Sequence, residues 1–384
     1  MEPGARPVIR VCLNPLLQPP RADRILVVRL GAVGDVVRTL PAAAALRRAY
    51  PGAHLAWLVE TPSAGLLESQ PWLDEVIVFP RRPLVEKLRE SYSPKLRESY
   101  SPKQRAGAFF GAAGSFLRFA GELRRRRFDL VLDFHSILRS ALLARLSGAP
   151  RRIGYAAPVG REGSQWLATE RATLIDQKIS RFDRNDGLLR YLAISREPVA
   201  APLVVDPALQ ERVAKSLDPG PTPIVIHPGS SDRTHHKRWP AERFAEVARR
   251  LSERDAVPSI VSWGPARDDH ARASAVVEQS KGAARLAPAT ASLAELAALL
   301  ATARLYIGGD TGPMHVASLV GTPVIQLLGP TDPIENAPWR ETPSRSLRSE
   351  SGGMDIGPDE VVSAARALLA EGGIDYYRTP EVQR

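Results

Sequence analysis

Two series of short apolar runs, rich in β-branched residues, alternate with helical patterns along the 384-residue chain. The first series of strand candidates lies at 24–30, 54–60, 75–79 and 130–134. The second series lies at 224–227, 258–263, 305–307 and 323–328. Strands that alternate with helices build βαβ units, which form parallel sheets covered by helices. The sequence therefore predicts an α/β protein with two doubly wound domains.

The boundary between the two predicted domains falls where prolines accumulate, with six of them between positions 198 and 223. We predict an N-terminal extension at 1–23, a first domain at 24–197, a Pro-rich linker at 198–223, a second domain at 224–356, and a C-terminal helix and tail at 357–384. Ligands of doubly wound sheets bind outside the carboxyl ends of the strands. We therefore expect the substrates to meet in a central cleft that both domains face.

Cysteine content and hydropathy indicate the cellular compartment of the protein. The single cysteine, Cys12, excludes an internal disulfide, and a reducing compartment is the simplest interpretation. No apolar run approaches the ~20 residues that a membrane span requires. The first thirty positions are interrupted by charged residues, unlike a signal peptide. We therefore expect a cytoplasmic protein.

The net charge of +10 is concentrated in a predicted basic insertion at 81–127, which holds thirteen Lys or Arg against four Glu. The octapeptide KLRESYSP at 87–94 is repeated at 95–102. Behind the repeat, four apolar residues recur near helical spacing and predict a basic amphipathic helix over 104–127: Phe109, Phe116, Phe119 and Leu123. Two interpretations stay open for the insertion, namely contact with an anionic surface such as phosphorylated lipid, or a solvated, duplicated loop.

The same charge distribution argues against nucleic acid as a partner. The basic residues are confined to one segment, few aromatic residues are interleaved with them, and no nucleic-acid-binding motif is present.

The segment GGDTGPMH at 308–315 predicts the end of a strand, a tight turn and the start of a helix whose N-terminus binds an anion. Its two leading glycines permit a sharp reversal, and Pro313 suits the first turn of a helix, where its missing N–H costs nothing. The free N–H groups and the positive end of the helix dipole can hold a phosphate. Asp310, Thr311 and His315 add side chains around it. The segment therefore indicates a nucleotide-linked substrate.

A second turn, GAVGD at 31–35, follows the first strand candidate. It lacks the third glycine of the dinucleotide fingerprint, which weakens a dehydrogenase interpretation. Asp35 is either the cap of the following helix or a carboxylate that acts as a general base in the cleft. The neighbouring Arg29 and Arg38 either bind an anionic acceptor or lie on the surface.

The segment HPGSS at 227–231 follows a strand of the second series and is a polar turn that can wrap a phosphate, although many loops look similar. Lys237 follows it, and either neutralises a pyrophosphate or is simply exposed. His235 and His236 have no partner at the spacing of metal ligands, and no CxxC, HExxH or paired Asp-x-Asp motif is present. We therefore expect no metal.

Four stretches together carry a resemblance to a known family: RILVVRLGAVGDVVRTLPAAAALRRAYPGAHLAWLVE, DLVLDFHSILRSALLARL, IVIHPGSSDRTHHKRWPAERF and LYIGGDTGPMHVASLVGTPVIQLLGPTDP. The chain resembles the ADP-heptose:lipopolysaccharide heptosyltransferases of glycosyltransferase family 9 over most of residues 24–335. The most specific elements are the Gly-Asp after the first strand, the Lys-x-Trp-Pro and the Asp-Thr-Gly-x-x-His, which occur in the family's order.

The resemblance implies a GT-B fold of two Rossmann-like domains, the first for the acceptor and the second for the donor. It implies an inverting, metal-independent transfer of heptose from ADP-heptose, without a cofactor, to a lipid-linked core oligosaccharide. The implied catalytic residues are Asp35, the general base, and Lys237. The implied donor-binding residues are Ser230, Ser231, Lys237, Asp310, Thr311, Gly312 and His315.

On the acceptor side, Arg139 stands where the family often has a lysine, and Arg152 belongs to an Arg-x-Gly element of the family. Together with Arg29 and Arg38 they are the expected acceptor-binding residues, because guanidinium groups suit phosphates and carboxylates. If the basic insertion contacts an anionic surface, we expect that surface to be the cytoplasmic face of the inner membrane, which the protein would contact peripherally. Two alternatives remain, a GT-B sugar-nucleotide epimerase and a non-catalytic anionic-lipid-binding protein.

Overall fold

The computed structural model describes residues 15–81, 102–176, 178–217, 220–229, 237–265, 268–349 and 351–371, with side chains omitted at 102–108. Ser230, Ser231 and most of the duplicated octapeptides lie outside the described residues, as do His235, His236 and Cys12. The chain divides into two compact units between Glu197 and Pro198.

The first unit contains a parallel sheet of six strands in the order β3-β2-β1-β4-β5-β6. Its strands are β1 (Arg24–Val28), β2 (His54–Glu60), β3 (Glu75–Phe79), β4 (Leu130–Asp133), β5 (Arg151–Tyr155) and β6 (Glu170–Ala172). Its α-helices are α1 (Val33–Ala49), α2 (Ala64–Glu68), α3 (Pro102–Arg125), α4 (Leu138–Leu146) and α5 (Arg181–Tyr191). Val28 lies beside Leu58 of β2 and Asp133 of β4, so that these strands end at one edge.

The second unit repeats this architecture, with the parallel order β12-β11-β10-β7-β8-β9. Its strands are β7 (Ile224–His227), β8 (Ser259–Val261), β9 (Ala284–Leu286), β10 (Leu305–Gly309), β11 (Val324–Leu328) and β12 (Ser344–Arg348). Its α-helices are α6 (Pro207–Lys215), α7 (Ala241–Asp255), α8 (Asp269–Gln279), α9 (Leu293–Ala301), α10 (Gly312–Leu319) and α11 (Pro358–Glu371).

Each sheet therefore grows outward from its first strand in both directions, which is the doubly wound order. The predicted α/β class with two doubly wound units is confirmed. Burial explains the clearest strands, because four consecutive residues of β1, from Ile25 to Val28, are inaccessible to solvent. Fully buried parallel strands read as continuous apolar runs rather than as alternating ones.

The residues that we predicted as a linker, 198–223, are not simply extended, because they contain α6. The prolines explain this helix. Pro207 occupies its first turn, where a missing N–H costs nothing, and the Asp206 carboxylate caps the helix by accepting a bond from the Ala208 N–H. The helix packs against α9 of the second unit.

The predicted basic amphipathic helix is present as α3, whose Leu123, Phe116 and Phe119 pack on the core of the first unit. The C-terminal helix α11 buries Val361 and Ala365 in the core of the second unit. Across the described ranges no helix is both long and apolar enough to cross a membrane.

Candidate active site

The carboxyl ends of the first and fourth strands of each sheet gather the charged residues singled out above. At this point of a doubly wound sheet the two adjacent strands send their connections to opposite faces, which opens a crevice for ligands. In the first unit the crevice lies where β1 and β4 end, and in the second unit where β7 and β10 end.

In the second unit, the end of β10 packs closely against its surroundings at Gly308, which has no side chain. A Cβ atom at Gly308 would lie 2.6 Å from the Tyr306 hydroxyl oxygen and 3.0 Å from the His227 carbonyl oxygen. Thr311 is the N-cap of α10, and Pro313 occupies its first turn. The predicted strand, turn and helix are therefore present, and the first N–H groups of α10 point away from its own carbonyls.

Asp310 is the centre of a small charged cluster at this turn. Its Oδ2 atom lies 3.3 Å from Nζ of Lys237, and its Oδ1 atom lies 3.6 Å from Nε2 of His315. Asp310 and His315 are almost fully buried, whereas a fifth of the Lys237 side chain is exposed. The structure thus brings together three of the predicted donor residues, of which Lys237 is the most exposed.

The adjacent strand β7 ends in His227, whose Nδ1 atom lies 3.0 Å from the Ser262 hydroxyl. Burial lowers the pKa of His227 to about 4, so that the imidazole is neutral near pH 7. The backbone of Gly229 lies close to the His227 ring, since a Cβ atom at Gly229 would lie 2.9 Å from Nε2 of His227. Asp269, at the start of α8, lies against the same turn and pairs with Arg272 at 3.0 Å. The sequence analysis did not identify Asp269, because its neighbours at the turn lie far away along the chain.

In the first unit, Asp35 lies in the first turn of α1, and Ala32 is the N-cap without any side-chain hydrogen bond. Asp35 therefore does not cap the helix. Its carboxylate is instead bound by three guanidinium groups: Oδ2 lies 2.7 Å from Arg29, and Oδ1 lies 2.8 Å from Arg38 and 3.2 Å from Arg181.

The three arginines determine the charge state of Asp35. Burial alone would raise the pKa of this carboxyl, but the positive charges of Arg29, Arg38 and Arg181 outweigh it and hold the pKa well below its usual range. Asp35 is therefore ionised throughout the physiological range of pH. An ionised carboxylate can accept a proton, but one this strongly stabilised is a weak base.

Each arginine is held by a different element. Arg29, directly after β1, also donates to the Phe134 carbonyl at 2.6 Å. Arg38 is buried in α1 and donates from Nε to the Gly34 carbonyl at 3.1 Å. Arg181 begins α5, which packs against α1 through the Asn185 side-chain amide, 2.9 Å from the Arg38 carbonyl. The sequence analysis missed Arg181, which lies 146 residues from its partner.

His135, after β4, is a second residue of this edge that the sequence analysis did not identify. Burial, with the positive charges of Arg29, Arg139 and Arg161 nearby, lowers the pKa of His135 to about 3, so its ring is neutral. Its Nδ1 atom is buried and has no hydrogen-bond partner among the described residues.

The two remaining predicted acceptor arginines differ in their surroundings. Arg139, at the start of α4, lies 3.1 Å from Oε1 of Glu60, which also pairs with Arg81. Arg152 of β5 instead donates to the backbone carbonyls of Ala149 and Leu167. Within the described part of the chain, no hydrogen bond or ion pair joins Arg152 to Asp35, and the acceptor-binding role of Arg152 stays a prediction.

Within the described ranges, no group of three or more His, Cys, Asp or Glu side chains is arranged to hold a metal ion.

Comparisons with known proteins agree on one family. The sequence model of Glycosyltransferase family 9 (heptosyltransferase) matches residues 116–352. Lipopolysaccharide heptosyltransferase 1 of Pseudomonas aeruginosa is 29% identical over 316 residues, which cover 81% of this chain and 79% of that protein.

Solved structures extend the similarity to the whole fold. The glycosyl transferase family 9 structure from Veillonella parvula has a TM-score of 0.72 and 25% identity, and the match covers 91% of this chain and 97% of that one. The E. coli heptosyltransferase WaaC with ADP-2-deoxy-2-fluoro heptose has a TM-score of 0.70 and 21% identity, over 90% and 99% of the two chains. These neighbours confirm the predicted GT-B class of the two Rossmann-like units.

Proposed function

The chain belongs to glycosyltransferase family 9, and from this premise we propose that it transfers heptose from ADP-heptose to the inner core of lipopolysaccharide. The proposed reaction is an inverting, metal-independent single displacement with Asp35 as the general base. The name of the Pseudomonas aeruginosa relative supports the choice of sugar and acceptor. The observation that carries the mechanism is the placement of Asp35 and of the Asp310 cluster at the ligand-binding edges of their sheets.

The second unit is proposed to bind the donor. Lys237 and the first N–H groups of α10 would hold the diphosphate, and the Asp310 carboxylate would accept hydrogen bonds from hydroxyls of the sugar. His315, whose Nε2 atom lies 3.6 Å from Oδ1 of Asp310, would complete the pyrophosphate site. Charge that grows on the departing ADP meets the Lys237 ammonium and the helix dipole, which supports a reaction without a metal ion. Thr311 and Gly312 belong to this site as the residues that begin the helix, and Ser230 and Ser231 complete its proposed phosphate contacts.

The first unit is proposed to bind the acceptor and to activate its hydroxyl group. The hydroxyl oxygen attacks the anomeric carbon of the heptose while the bond from that carbon to the diphosphate oxygen breaks. The electron pair leaves with ADP, and the hydroxyl proton passes to Asp35. Arg29, Arg38 and Arg139 supply cationic groups for phosphates or carboxylates of the acceptor.

A membrane contact is proposed for the outer surface of α3 and α4, which we call the α3–α4 surface and define by Phe110, Leu117, Arg124, Leu142 and Arg145. The three residues of α3 recur every seven positions, so that they share one helix face. The side chains of Phe110 and Leu117 are 70% and 68% exposed. Exposed apolar side chains beside arginines are typical of helices that lie in an anionic membrane interface.

A groove continues the α3–α4 surface and adds to its positive charge. The groove has a volume of about 540 Å³ and is lined by Arg124, Arg125 and Arg127 at the end of α3 and by Gly148 after α4. Its size and charge suit a lipid phosphate. Such a contact would bring the enzyme to a lipid-linked acceptor, and we propose that it operates from the cytoplasmic face of the inner membrane.

Product analysis tests the proposed function. The protein is incubated with ADP-heptose, with and without a lipid-linked core oligosaccharide, and the products are identified by mass spectrometry and by NMR of the anomeric centre. We expect acceptor-dependent transfer with inverted configuration. Retention would overturn the single displacement, and conversion of the donor to another sugar nucleotide without acceptor would favour an epimerase. Thermal shifts with ADP and UDP test the donor base, since a ligand of the native state raises Tm.

A further inference from the structure

Arg181 is the one member of the Asp35 cluster to which neither the sequence analysis nor the proposed reaction gives a role. Its Nη1 atom lies 3.2 Å from Oδ1 of Asp35, and 38% of its side chain is exposed. Arg29 and Arg38 are far more buried, at 14% and 7% exposure. Arg181 is therefore the cation of the cluster that an incoming ligand reaches most easily.

The geometry leaves Asp35 poorly suited to accept a proton. Both carboxylate oxygens already accept bonds from guanidinium groups, Oδ2 from Arg29 and Oδ1 from Arg38 and Arg181. A proton that arrives neutralises the carboxylate and weakens these charged hydrogen bonds, which are about twice as strong as neutral ones. An active base at this position needs at least one arginine to turn to another anion.

Within the described ranges, the carboxylates nearest to Asp35 already have other partners. The groups that face it are Arg29 after β1, Arg38 on α1, Arg181 on α5 and the neutral imidazole of His135 after β4. Asp133, at the end of β4, is buried and accepts hydrogen bonds from the backbone N–H groups of His135 and Ser136 and from the Ser140 hydroxyl. Glu60, at the end of β2, is paired with two other arginines, Arg81 and Arg139. The counter-ion must therefore come with a ligand.

We propose that Arg181, together with Arg29 and Arg38, forms a latch that holds Asp35 inactive until a phosphate or carboxylate of the acceptor binds these arginines. This inference rests on the proposed function, in which Asp35 is the base and the acceptor is anionic. Arg181 is a positioning residue in it, because it acts through Asp35. The latch restricts the base to acceptors that carry an anion beside the reacting hydroxyl.

The latch has a second consequence, which is protection of the donor against water. In hydrolysis, a water oxygen attacks the anomeric carbon, the bond from that carbon to the diphosphate oxygen breaks, and the electron pair leaves with ADP. One water proton passes to Asp35 and then to solvent, which yields free heptose and ADP. While the arginines hold Asp35, this base-assisted hydrolysis is slow.

Release of ADP from ADP-heptose in the absence of acceptor tests the latch. Arg181→Gln removes one cation and raises the pKa of Asp35, because an opposite charge at this range lowers a carboxyl pKa by about 1–3 units. Since the rate of base catalysis follows basicity, we expect hydrolysis to increase by up to about tenfold, with a higher acceptor KM. The acid limb of the hydrolysis rate should move to higher pH.

Two further variants provide the controls. Arg181→Lys keeps the charge and should return hydrolysis towards the wild-type rate. Arg190→Gln alters an exposed arginine at the other end of α5 and should change neither rate. Hydrolysis by Arg181→Gln at or below the wild-type rate would overturn the latch, and so would an equal loss of hydrolysis and transfer.

The variant Asp35→Asn tests the proposed function separately from the latch. If Asp35→Asn transfers heptose at the wild-type rate, then Asp35 is not the base, whatever Arg181 does. If Asp35→Asn is inactive but Arg181→Gln hydrolyses the donor no faster than wild type, then only the latch is wrong.

Discussion

Replacement of Lys237 by alanine removes the cation beside Asp310 and is expected to weaken both donor binding and turnover. The ammonium lies 3.3 Å from Asp310, and only 20% of the lysine side chain is exposed. Unit charges about 4 Å apart interact by about 4 kcal/mol at the effective dielectric constant of about 20 that applies near a protein surface. Hydrogen bonds to charged groups contribute about 1.5–3 kcal/mol net, so we expect kcat/KM to fall roughly 10- to 150-fold.

The loss should be shared between binding and chemistry. The diphosphate is already charged in the ground state, and its charge grows as the bond to the sugar breaks, so Lys237 contributes to both. Isothermal titration with ADP measures the first contribution, and steady-state kinetics with ADP-heptose measures the two together. Lys215→Ala is the matched control, since Lys215 is an exposed lysine of the same unit that pairs with Glu211 on its own helix.

A double variant that also changes Asp310 tests the electrostatic role of Lys237 further. Without Lys237, the Asp310 carboxylate repels the diphosphate, and Lys237→Ala combined with Asp310→Asn should recover part of the ADP affinity. The electrostatic reasoning would be refuted if Lys237→Ala bound ADP with wild-type affinity and kept kcat/KM within about twofold of the wild-type value.

Three further predictions concern stability and location. Gly308→Ala should lower the free energy of unfolding by about 1–3 kcal/mol, because its Cβ atom would lie 2.6 Å from the Tyr306 hydroxyl; urea denaturation measures this. His227 has a pKa lowered to about 4, so the unfolded chain binds a proton that the folded chain does not between that value and about pH 6.5. Stability should therefore fall by up to about 3 kcal/mol as the pH is lowered through this window, and His227→Asn should flatten that part of the profile; an unchanged profile would contradict this explanation. Phe110→Asp should reduce co-sedimentation with vesicles that contain anionic lipid, whereas Ile334→Asp, at a 49% exposed site of the second unit, should not; equal binding by both variants would contradict the membrane contact.

The sequence predicted the interior of both sheets better than their edges. Buried parallel strands such as β1 and β10 are continuous apolar runs, and these were found. Strand β12 was not predicted, because its sequence Ser-Arg-Ser-Leu-Arg is polar. The strand lies at the edge of its sheet, where most of its side chains face solvent. The short strand β6 was missed for a similar reason, since Glu170 and Arg171 give no apolar signal.

The sequence predicted those residues of the candidate site that belong to local motifs. The Asp310 turn and Lys237 follow strands in recognisable segments, and the structure brings them together. Arg181 could not be found in this way, because it meets Asp35 only when α5 packs against α1. A motif selected Arg152, and the fold directs its guanidinium to backbone carbonyls, so that its contact with an acceptor stays a prediction.

The central claim, that Asp35 accepts the proton of the attacking hydroxyl, is tested most directly by the turnover of Asp35→Asn with saturating donor and acceptor. Asp183→Asn is a close control, because Asp183 occupies the same position in the first turn of α5 as Asp35 does in α1. We expect kcat to fall by about 10²–10⁴-fold for Asp35→Asn, with unchanged affinity for ADP, and to stay near wild type for Asp183→Asn. Wild-type turnover by a folded Asp35→Asn protein would contradict the account.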